Sequence, residues 1–285
     1  MSWSELTLTV PNALKDAIVG ELSELGASGV WESGEPDADH TQLAAYFAAE
    51  ADFERIRESL CPLFERMDLI PPDLQVRAVE DRDWGEAWKK SWTSFPLGRR
   101  FFVIPSWSDS ACPPDRFPIT LDPGQAFGTG THETTQLTLK AMEVWLEPRH
   151  IVLDVGTGSG ILAIAAALLD AKAVHACDND PVAVEVAREN LEGNGARAGL
   201  YCGSVDAIAD GVVSFLLCNL TADAIAEVLS DIYRVLRPQG LAVFSGILNS
   251  QRAEVRERAD LFGFTILEST TQGEWCALVV RKHGR

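Results

Sequence analysis

The chain has 285 residues, of which 46% are hydrophobic and 23% are charged. This composition is ordinary for a soluble globular protein and excludes extensive disorder. The formal net charge of -18 argues against nucleic-acid binding, because a surface that neutralises phosphates needs clustered Lys and Arg. We therefore expect no direct nucleic-acid binding and a basic partner, although many enzymes are acidic simply for solubility.

The cysteines and the amino terminus bear on the compartment. The six cysteines are scattered and form no CxxC pair, which favours a reducing environment. The chain starts without the basic and apolar segments of a signal peptide, and its longest apolar run, 161–169, is too short to span a bilayer. We expect a cytoplasmic, monomeric protein with no membrane association.

The first 79 residues predict a small α+β domain. Residues 3–10 alternate in polarity and predict a strand, after which Asn12 is placed to cap a helix that ends at Gly26. Further strands are predicted at 27–31, 41–48 and 74–79, and a second helix at 52–64. The resulting order β-α-β-β-α-β indicates a ferredoxin-like sandwich.

A tryptophan-rich connector is predicted over 80–98. Trp84, Trp88 and Trp92 recur at a spacing that puts them on one face of a helix. Such a face usually packs against protein, which here means the junction between two domains. The alternative is a surface that grips a substrate.

Residues 99–285 predict a second, α/β domain. Two short strands at 99–104 and 118–121 come first, and after residue 130 strands alternate with helices, as expected for a parallel sheet covered on both faces. These strands are predicted at 150–155, 173–178, 199–203, 213–219 and 240–246. The segments 264–269 and 275–280 predict an antiparallel hairpin at the edge of the sheet. This arrangement resembles the class I S-adenosylmethionine-dependent methyltransferases.

A glycine turn follows the first strand of the alternating region. Gly156, Gly158 and Gly160 lie where the strand turns into a helix, so that the backbone can approach a ligand without Cβ clashes. A dinucleotide fingerprint spaces its last two glycines three apart, whereas here they are two apart. This spacing resembles the methyltransferase motif, although a glycine turn alone also fits a structural turn or another nucleotide.

Polar residues end two further strands. Asp178 closes the second strand, where its carboxylate can accept hydrogen bonds from both hydroxyls of a ribose, whereas Asp180 precedes Pro181 and is placed to cap the next helix. Asn219 emerges at the carboxyl end of the fourth strand, where open α/β sheets bind ligands. It could equally be a turn residue before a helix capped by Thr221.

The segment 122–135 is the most specific motif. It reads Asp-Pro-Gly-Gln-Ala-Phe-Gly-Thr-Gly-Thr-His-Glu-Thr-Thr. His132 and Glu133 are not a zinc site, because an HExxH motif needs His where Gln136 stands, and we predict no metal. The loop is expected to close over a ligand, with Phe127, Thr134 and Thr135 among its contacts. Thr134 and Thr135 start the following helix.

Together these motifs resemble the ribosomal protein L11 methyltransferase family, the PrmA type. The resemblance also includes Asn219-Leu-Thr-Ala222, Ser245-Gly-Ile-Leu248 and Glu274-Trp-Cys276. It implies methyl transfer from S-adenosylmethionine to lysine ε-amines and the amino terminus of the basic protein at the base of the large-subunit stalk. The amino-terminal domain would recognise that protein. The family commonly has Cys in place of Thr157 and Asn-Ile-Leu-Ala at 219–222.

Residue by residue, the resemblance places Thr135, Gly156, Asp178 and Asn219 on the cofactor, with Gly158 in the same turn. Asn219 is the candidate catalytic residue, which orients the acceptor amine, and no dedicated general base is expected. Three alternatives remain open. They are a methyltransferase for another protein lysine, of the electron-transfer flavoprotein type, a nicotinamide-dependent oxidoreductase, and a noncatalytic adaptor.

Overall fold

The computed structural model describes residues 3–33, 40–48, 51–65, 69, 74–79, 93–122 and 128–284. The chain divides into two compact units, Met1–Trp92 and Thr93–Arg285. The predicted tryptophan face of the connector, at Trp84, Trp88 and Trp92, lies outside the described residues.

The described residues of the first unit form an antiparallel sheet and two helices. Its elements are β1 (Trp3–Pro11), α1 (Lys15–Glu24), β2 (Gly29–Ser33), β3 (His40–Ala48), α2 (Phe53–Glu65) and β4 (Gln75–Val79). The four strands are ordered β2-β3-β1-β4. Alternate residues of β1, namely Leu6, Leu8 and Val10, are buried against Ile18 and Leu22 of α1 in one core, as the period of two in the sequence requires.

The prediction that Asn12 caps α1 is wrong. Asn12 begins a short 3-10 turn whose capping residue is Pro11, and no side chain caps it. The Asn12 Oδ1 atom instead accepts a hydrogen bond from the Thr41 hydroxyl of β3 at 2.6 Å. Because β1 continues through Pro11, directly before the 3-10 turn, Asn12 lies beside β3 and not at the N-cap position of α1.

The second unit is built on a seven-stranded sheet. Its strands are β8 (Ile151–Val155), β9 (Ala173–Asp178), β10 (Gly199–Cys202), β11 (Val213–Asn219), β12 (Leu236–Leu248), β13 (Phe264–Gln272) and β14 (Trp275–Lys282). They are ordered β10-β9-β8-β11-β12-β14-β13, with β8 to β12 parallel and β13 and β14 antiparallel. The predicted parallel sheet is confirmed.

Helices cover both faces of this sheet. They are α3 (Glu133–Trp145), α4 (Ile161–Leu168), α5 (Pro181–Gly193), α6 (Ala222–Val235) and α7 (Arg252–Leu261). Val152 of β8 faces a core formed with α3, α4 and α5, whereas its neighbour Leu153 faces a core formed with α6 and α7. Because successive strand residues point to opposite faces, one apolar run fills both cores.

Some strands depart from their predicted bounds. A second, three-stranded sheet joins β5 (Phe95–Leu97), β6 (Phe101–Ile104) and β7 (Phe117–Thr120). β5 was not predicted, since it is three residues long and has Pro96 at its centre. β12 begins at Leu236 rather than at 240, because Leu236 already pairs with Val213 before a register shift.

The strand order places the ligand-binding edge. From β8 the chain builds outward through β9 to β10 and then returns to the other side of β8 to form β11. In open α/β sheets, a crevice opens where the strand order reverses, at the carboxyl ends of the strands. Here the carboxyl ends of β8, β9 and β11 meet at that crevice.

Candidate active site

The glycine turn after β8 adopts a backbone that L side chains rarely take. Gly156, Gly158 and Gly160 have φ angles of 70°, 53° and 81°. A Cβ atom at Gly156 would lie 2.5 Å from Leu220 Cδ2. The backbone N–H groups of Gly156 and Thr157 both donate to the Cys177 carbonyl, at 2.9 and 3.0 Å. The turn is therefore held against the end of β9 and packed on the residue that follows β11.

Asp178 braces this turn from the end of β9. Its Oδ2 atom accepts a hydrogen bond from the Gly158 N–H at 2.9 Å, and its Oδ1 atom accepts one from the Asp180 N–H at 3.1 Å. Asp180 caps α5 by accepting from the Val182 N–H at 2.8 Å, as predicted. The two acids thus have different tasks, since Asp178 is half-buried at the turn and Asp180 is exposed at a helix start.

Asn219 and Thr135 meet across the crevice. Asn219 is the last residue of β11, and its Nδ2 atom lies 3.5 Å from the hydroxyl of Thr135, which is fully buried in the first turn of α3. The Asn219 Oδ1 atom is buried and has no hydrogen-bond partner in the part of the chain that the structure describes. A buried carbonyl oxygen of this kind is costly unless a ligand donates to it.

A clasp formed by Ser245 and Gly246 of β12, not predicted from the sequence, holds the neighbours of both residues, Leu220 and Thr134. The Leu220 N–H donates to the Ser245 carbonyl at 3.1 Å, and the fully buried Ser245 hydroxyl donates to the Thr134 carbonyl at 3.0 Å. Gly246 has a φ of 83°, and a Cβ atom there would overlap the Leu220 carbonyl. In the sequence this clasp corresponds to the motif Ser245-Gly-Ile-Leu248, for which the resemblance predicted no role.

Thr134 lies at the start of α3 rather than beside Asn219. Its backbone N–H donates to His132 Nδ1 at 3.3 Å, and its hydroxyl is 2.8 Å from the same nitrogen. His132 is thus the N-cap of α3. The structure engages the Thr134 hydroxyl in this cap, whereas Thr135 faces Asn219. Phe127, the other predicted contact from this loop, lies outside the described residues.

Asp154, to which no role was predicted, is completely buried directly before the turn. Its Oδ2 atom accepts a hydrogen bond from the Thr157 hydroxyl at 2.7 Å, and its Oδ1 atom has no partner among the described residues. Burial raises the pKa of this carboxyl to about 7, against the opposing effect of hydrogen bonds from Thr157 and the Ala163 backbone. Thr157, which stands where the family commonly has Cys, therefore donates a hydrogen bond to a buried acid.

Within the described ranges, no group of three or more His, Cys, Asp or Glu side chains is arranged to hold a metal ion. None of the described helices is both long and apolar enough to cross a bilayer.

The fold and the site define a class I methyltransferase-like α/β protein. Its sheet order reverses at β8, and a glycine turn, an acid and an amide side chain meet at that point. Residues 2–283 match the sequence model of the family described as ribosomal protein L11 methyltransferase (PrmA). The chain belongs to the ribosomal protein L11 methyltransferase family.

Individual relatives agree with this assignment. A ribosomal protein L11 methyltransferase from Synechococcus elongatus is 38% identical over 291 positions, which cover 98% of this chain and 96% of the relative. One from Caldanaerobacter subterraneus subsp. tengcongensis is 33% identical and is covered completely, as is this chain. The crystal structure of a ribosomal protein L11 methylase from Lactobacillus delbrueckii subsp. bulgaricus is 34% identical, with a TM-score of 0.63, over 67% of this chain and 100% of that one.

The buried acid predicts a pH-dependent stability. The pKa of Asp154 is raised from 3.8 to about 7 in the fold, so the folded state binds the proton more tightly than the unfolded state does. Stability from this group is therefore full below 3.8 and is lost as the pH rises through about 7, with a limiting slope of about 1.4 kcal/mol per pH unit. We expect urea unfolding to show that the free energy of unfolding of Asp154→Asn increases relative to that of the wild type as the pH rises from 3.8 to about 7.

Asp180→Asn, at an exposed carboxylate that also caps a helix, is the matched control for the substitution itself. A difference between Asp154→Asn and the wild type that stays constant with pH would contradict the argument from burial.

Proposed function

We propose that this protein transfers methyl groups from S-adenosylmethionine to ribosomal protein L11, at lysine ε-amines and the amino terminus. The observation that carries the proposal is the meeting of Gly156, Asp178 and Asn219 at one edge of the sheet, each from a different parallel strand or its end. Membership of the family over residues 2–283 supports L11 as the acceptor.

The residues at this edge fit S-adenosylmethionine. Gly158 has no side chain and so leaves room for a ligand to approach the backbone, whereas at Gly156 the missing side chain makes room for Leu220. Each Asp178 oxygen accepts one backbone N–H and keeps a lone pair for a ribose hydroxyl. The buried Oδ1 atoms of Asp154 and Asn219, which lack partners among the described residues, suit a ligand that carries positive charge.

When bound, the cofactor would supply a methyl group on a sulfonium whose neutral thioether is the leaving group, so the protein's own task is alignment and exclusion of water. An acceptor lysine with its usual pKa of ~10.4 is mostly protonated at neutral pH. Transfer out of water disfavours the charged form and lowers that pKa. Asn219 Oδ1 then accepts an N–H of the neutral amine and orients its lone pair. No side chain in the proposal serves as a dedicated general base.

The rest of the molecule has supporting roles in this proposal. Residues 1–79, as a ferredoxin-like domain, recognise the basic L11 protein, and the connector 80–98 joins that domain to the methyltransferase domain 99–285, whose sheet ends in the hairpin β13–β14. The net charge of -18 suits a basic substrate and disfavours direct binding to RNA. The protein works as a monomer in the cytoplasm, where ribosomal proteins are made.

The experiment that tests the proposal uses labelled S-adenosylmethionine and ribosomal proteins from a strain that lacks L11 methylation. Mass spectrometry then locates the label, and we expect it on amines of L11. An electron-transfer flavoprotein is included as a competing acceptor. Label on that protein alone would overturn the assignment of L11 while retaining methyl transfer, and binding of a nicotinamide nucleotide in place of S-adenosylmethionine would overturn both.

Asn219→Ala should separate chemistry from folding. Loss of the amide removes the acceptor that orients the amine, so kcat for L11 methylation should fall by about 100-fold. The free energy of unfolding should fall by less than about 1 kcal/mol, because among the described residues the amide has one long hydrogen bond, to Thr135.

The matched control is Asn194→Ala. Its amide exchanges two hydrogen bonds with the Thr120 backbone, each at 2.7 Å, and it has no role in the proposed chemistry. Asn194→Ala should lower stability and leave kcat unchanged. An unaltered methylation rate in Asn219→Ala would remove Asn219 from the mechanism.

A further inference from the structure

The tip of the hairpin β13–β14 lies against the segment in front of α3. Trp275, the first residue of β14, meets the His132 ring edge-on, with ring centroids 5.0 Å apart and planes at 64°. Both side chains are half-buried. Edge-to-face packing of this kind fixes the orientation of both rings. Neither residue is used by the proposed chemistry, although both belong to motifs that mark the family resemblance.

Polar side chains join the same two segments beside the rings. Gln272, the last residue of β13, donates from Nε2 to the Gln136 Oε1 atom at 2.7 Å and accepts from the Lys140 ammonium at 2.7 Å. Gln136 in turn donates to the Thr131 carbonyl at 2.8 Å. The hairpin tip therefore has two independent attachments to the start of α3, one aromatic and one hydrogen-bonded.

The hairpin tip is itself anchored to the sheet. Beyond the end of β12, the Asn249 N–H donates to the Glu274 carbonyl at 2.8 Å, and the Asn249 amide donates to the Gly273 carbonyl at 3.0 Å. Trp275 pairs with Leu248 at the end of the same strand that supplies Ser245. Trp275 is thus held in place by the sheet, and the His132 ring packs against it.

His132 connects the hairpin tip to the side of the crevice where Thr135 and Asn219 lie. Its Nδ1 atom accepts from the Thr134 N–H and so fixes the first turn of α3. Thr135 is the next residue, and its hydroxyl faces Asn219. A side chain that caps a helix determines where its first turn begins, so the position of the Thr135 hydroxyl depends on the imidazole.

We propose that His132 and Trp275 are positioning residues, through which the carboxyl-terminal hairpin holds Thr135 in register for S-adenosylmethionine. The inference rests on the proposed function for the identity of the ligand. It assigns His132 a role as a hydrogen-bond acceptor within the protein and not as a metal ligand. It also gives the Glu274-Trp-Cys276 motif a role at the site.

The test compares truncating and conservative variants by calorimetric titration with S-adenosylmethionine. In His132→Ala and Trp275→Leu, we expect the Kd to rise about fivefold, the factor that corresponds to the ~1 kcal/mol of a typical helix cap. His132→Asn, which restores a side-chain acceptor at the cap, and Trp275→Phe, which restores an aromatic ring, should return to within about twofold of the wild type.

A second readout does not involve the ligand. Amide hydrogen exchange at Thr134 and Thr135 in the free protein should be faster in both truncating variants and normal in both conservative ones. The matched control is Tyr233→Leu, which breaks another edge-to-face pair, with Phe264, at a ring distance of 5.4 Å. It should change neither the Kd nor these amides. If Trp275→Leu does not fold, Gln272→Ala, which removes the polar attachment, takes its place.

The outcomes are distinguishable. A Kd and an exchange pattern like those of the wild type in His132→Ala would overturn the inference, as would a loss that His132→Asn does not restore. If the wild type itself does not bind S-adenosylmethionine, the proposed function fails. In that case the exchange at Thr134 and Thr135 still decides whether the hairpin positions α3.

Discussion

The hydrogen bond from the Gly158 N–H to the Asp178 carboxylate organises this site. The three glycines of the turn after β8 have positive φ and carry no side chains to hold their own backbone in place. Besides the hydrogen bond from the Thr157 hydroxyl to Asp154, the turn is fixed by the carboxylate and the Cys177 carbonyl of β9 on one side and by Leu220 after β11 on the other. Because each contact comes from an adjacent parallel strand, the sheet order that creates the crevice also shapes its floor.

The second wall of the crevice comes from β12, which runs parallel to β11. Ser245 and Gly246 on β12 hold the backbone of Leu220 and the start of α3 together, so that Asn219 and Thr135 face each other. These polar groups are buried, and a buried polar group that lacks a partner is costly. The Oδ1 atoms of Asp154 and Asn219 lack one in the described part of the chain, which is consistent with a site that is completed by its ligand.

Much of this arrangement could be predicted, and the rest could not, for physical reasons. Asp180 was identified as a cap because Pro181 after an acid is a local signal, and the alternating apolar runs predicted the parallel sheet because their period is also local. Asn12 was assigned wrongly, since its partner Thr41 lies on another strand. The burial of Asp154 and the clasp at Ser245 depend on contacts between elements far apart in the chain, which spacing alone does not reveal.

The most direct test of the account is calorimetric titration of S-adenosylmethionine into Asp178→Ala and Asp180→Ala. The two acids are two residues apart, yet one braces the glycine turn and faces the proposed ribose site, and the other caps a helix. The account predicts that Asp178→Ala raises the Kd by at least about tenfold, the factor expected for loss of a charged hydrogen-bond acceptor, and that Asp180→Ala changes it by about twofold or less. Equal effects of the two substitutions would contradict it.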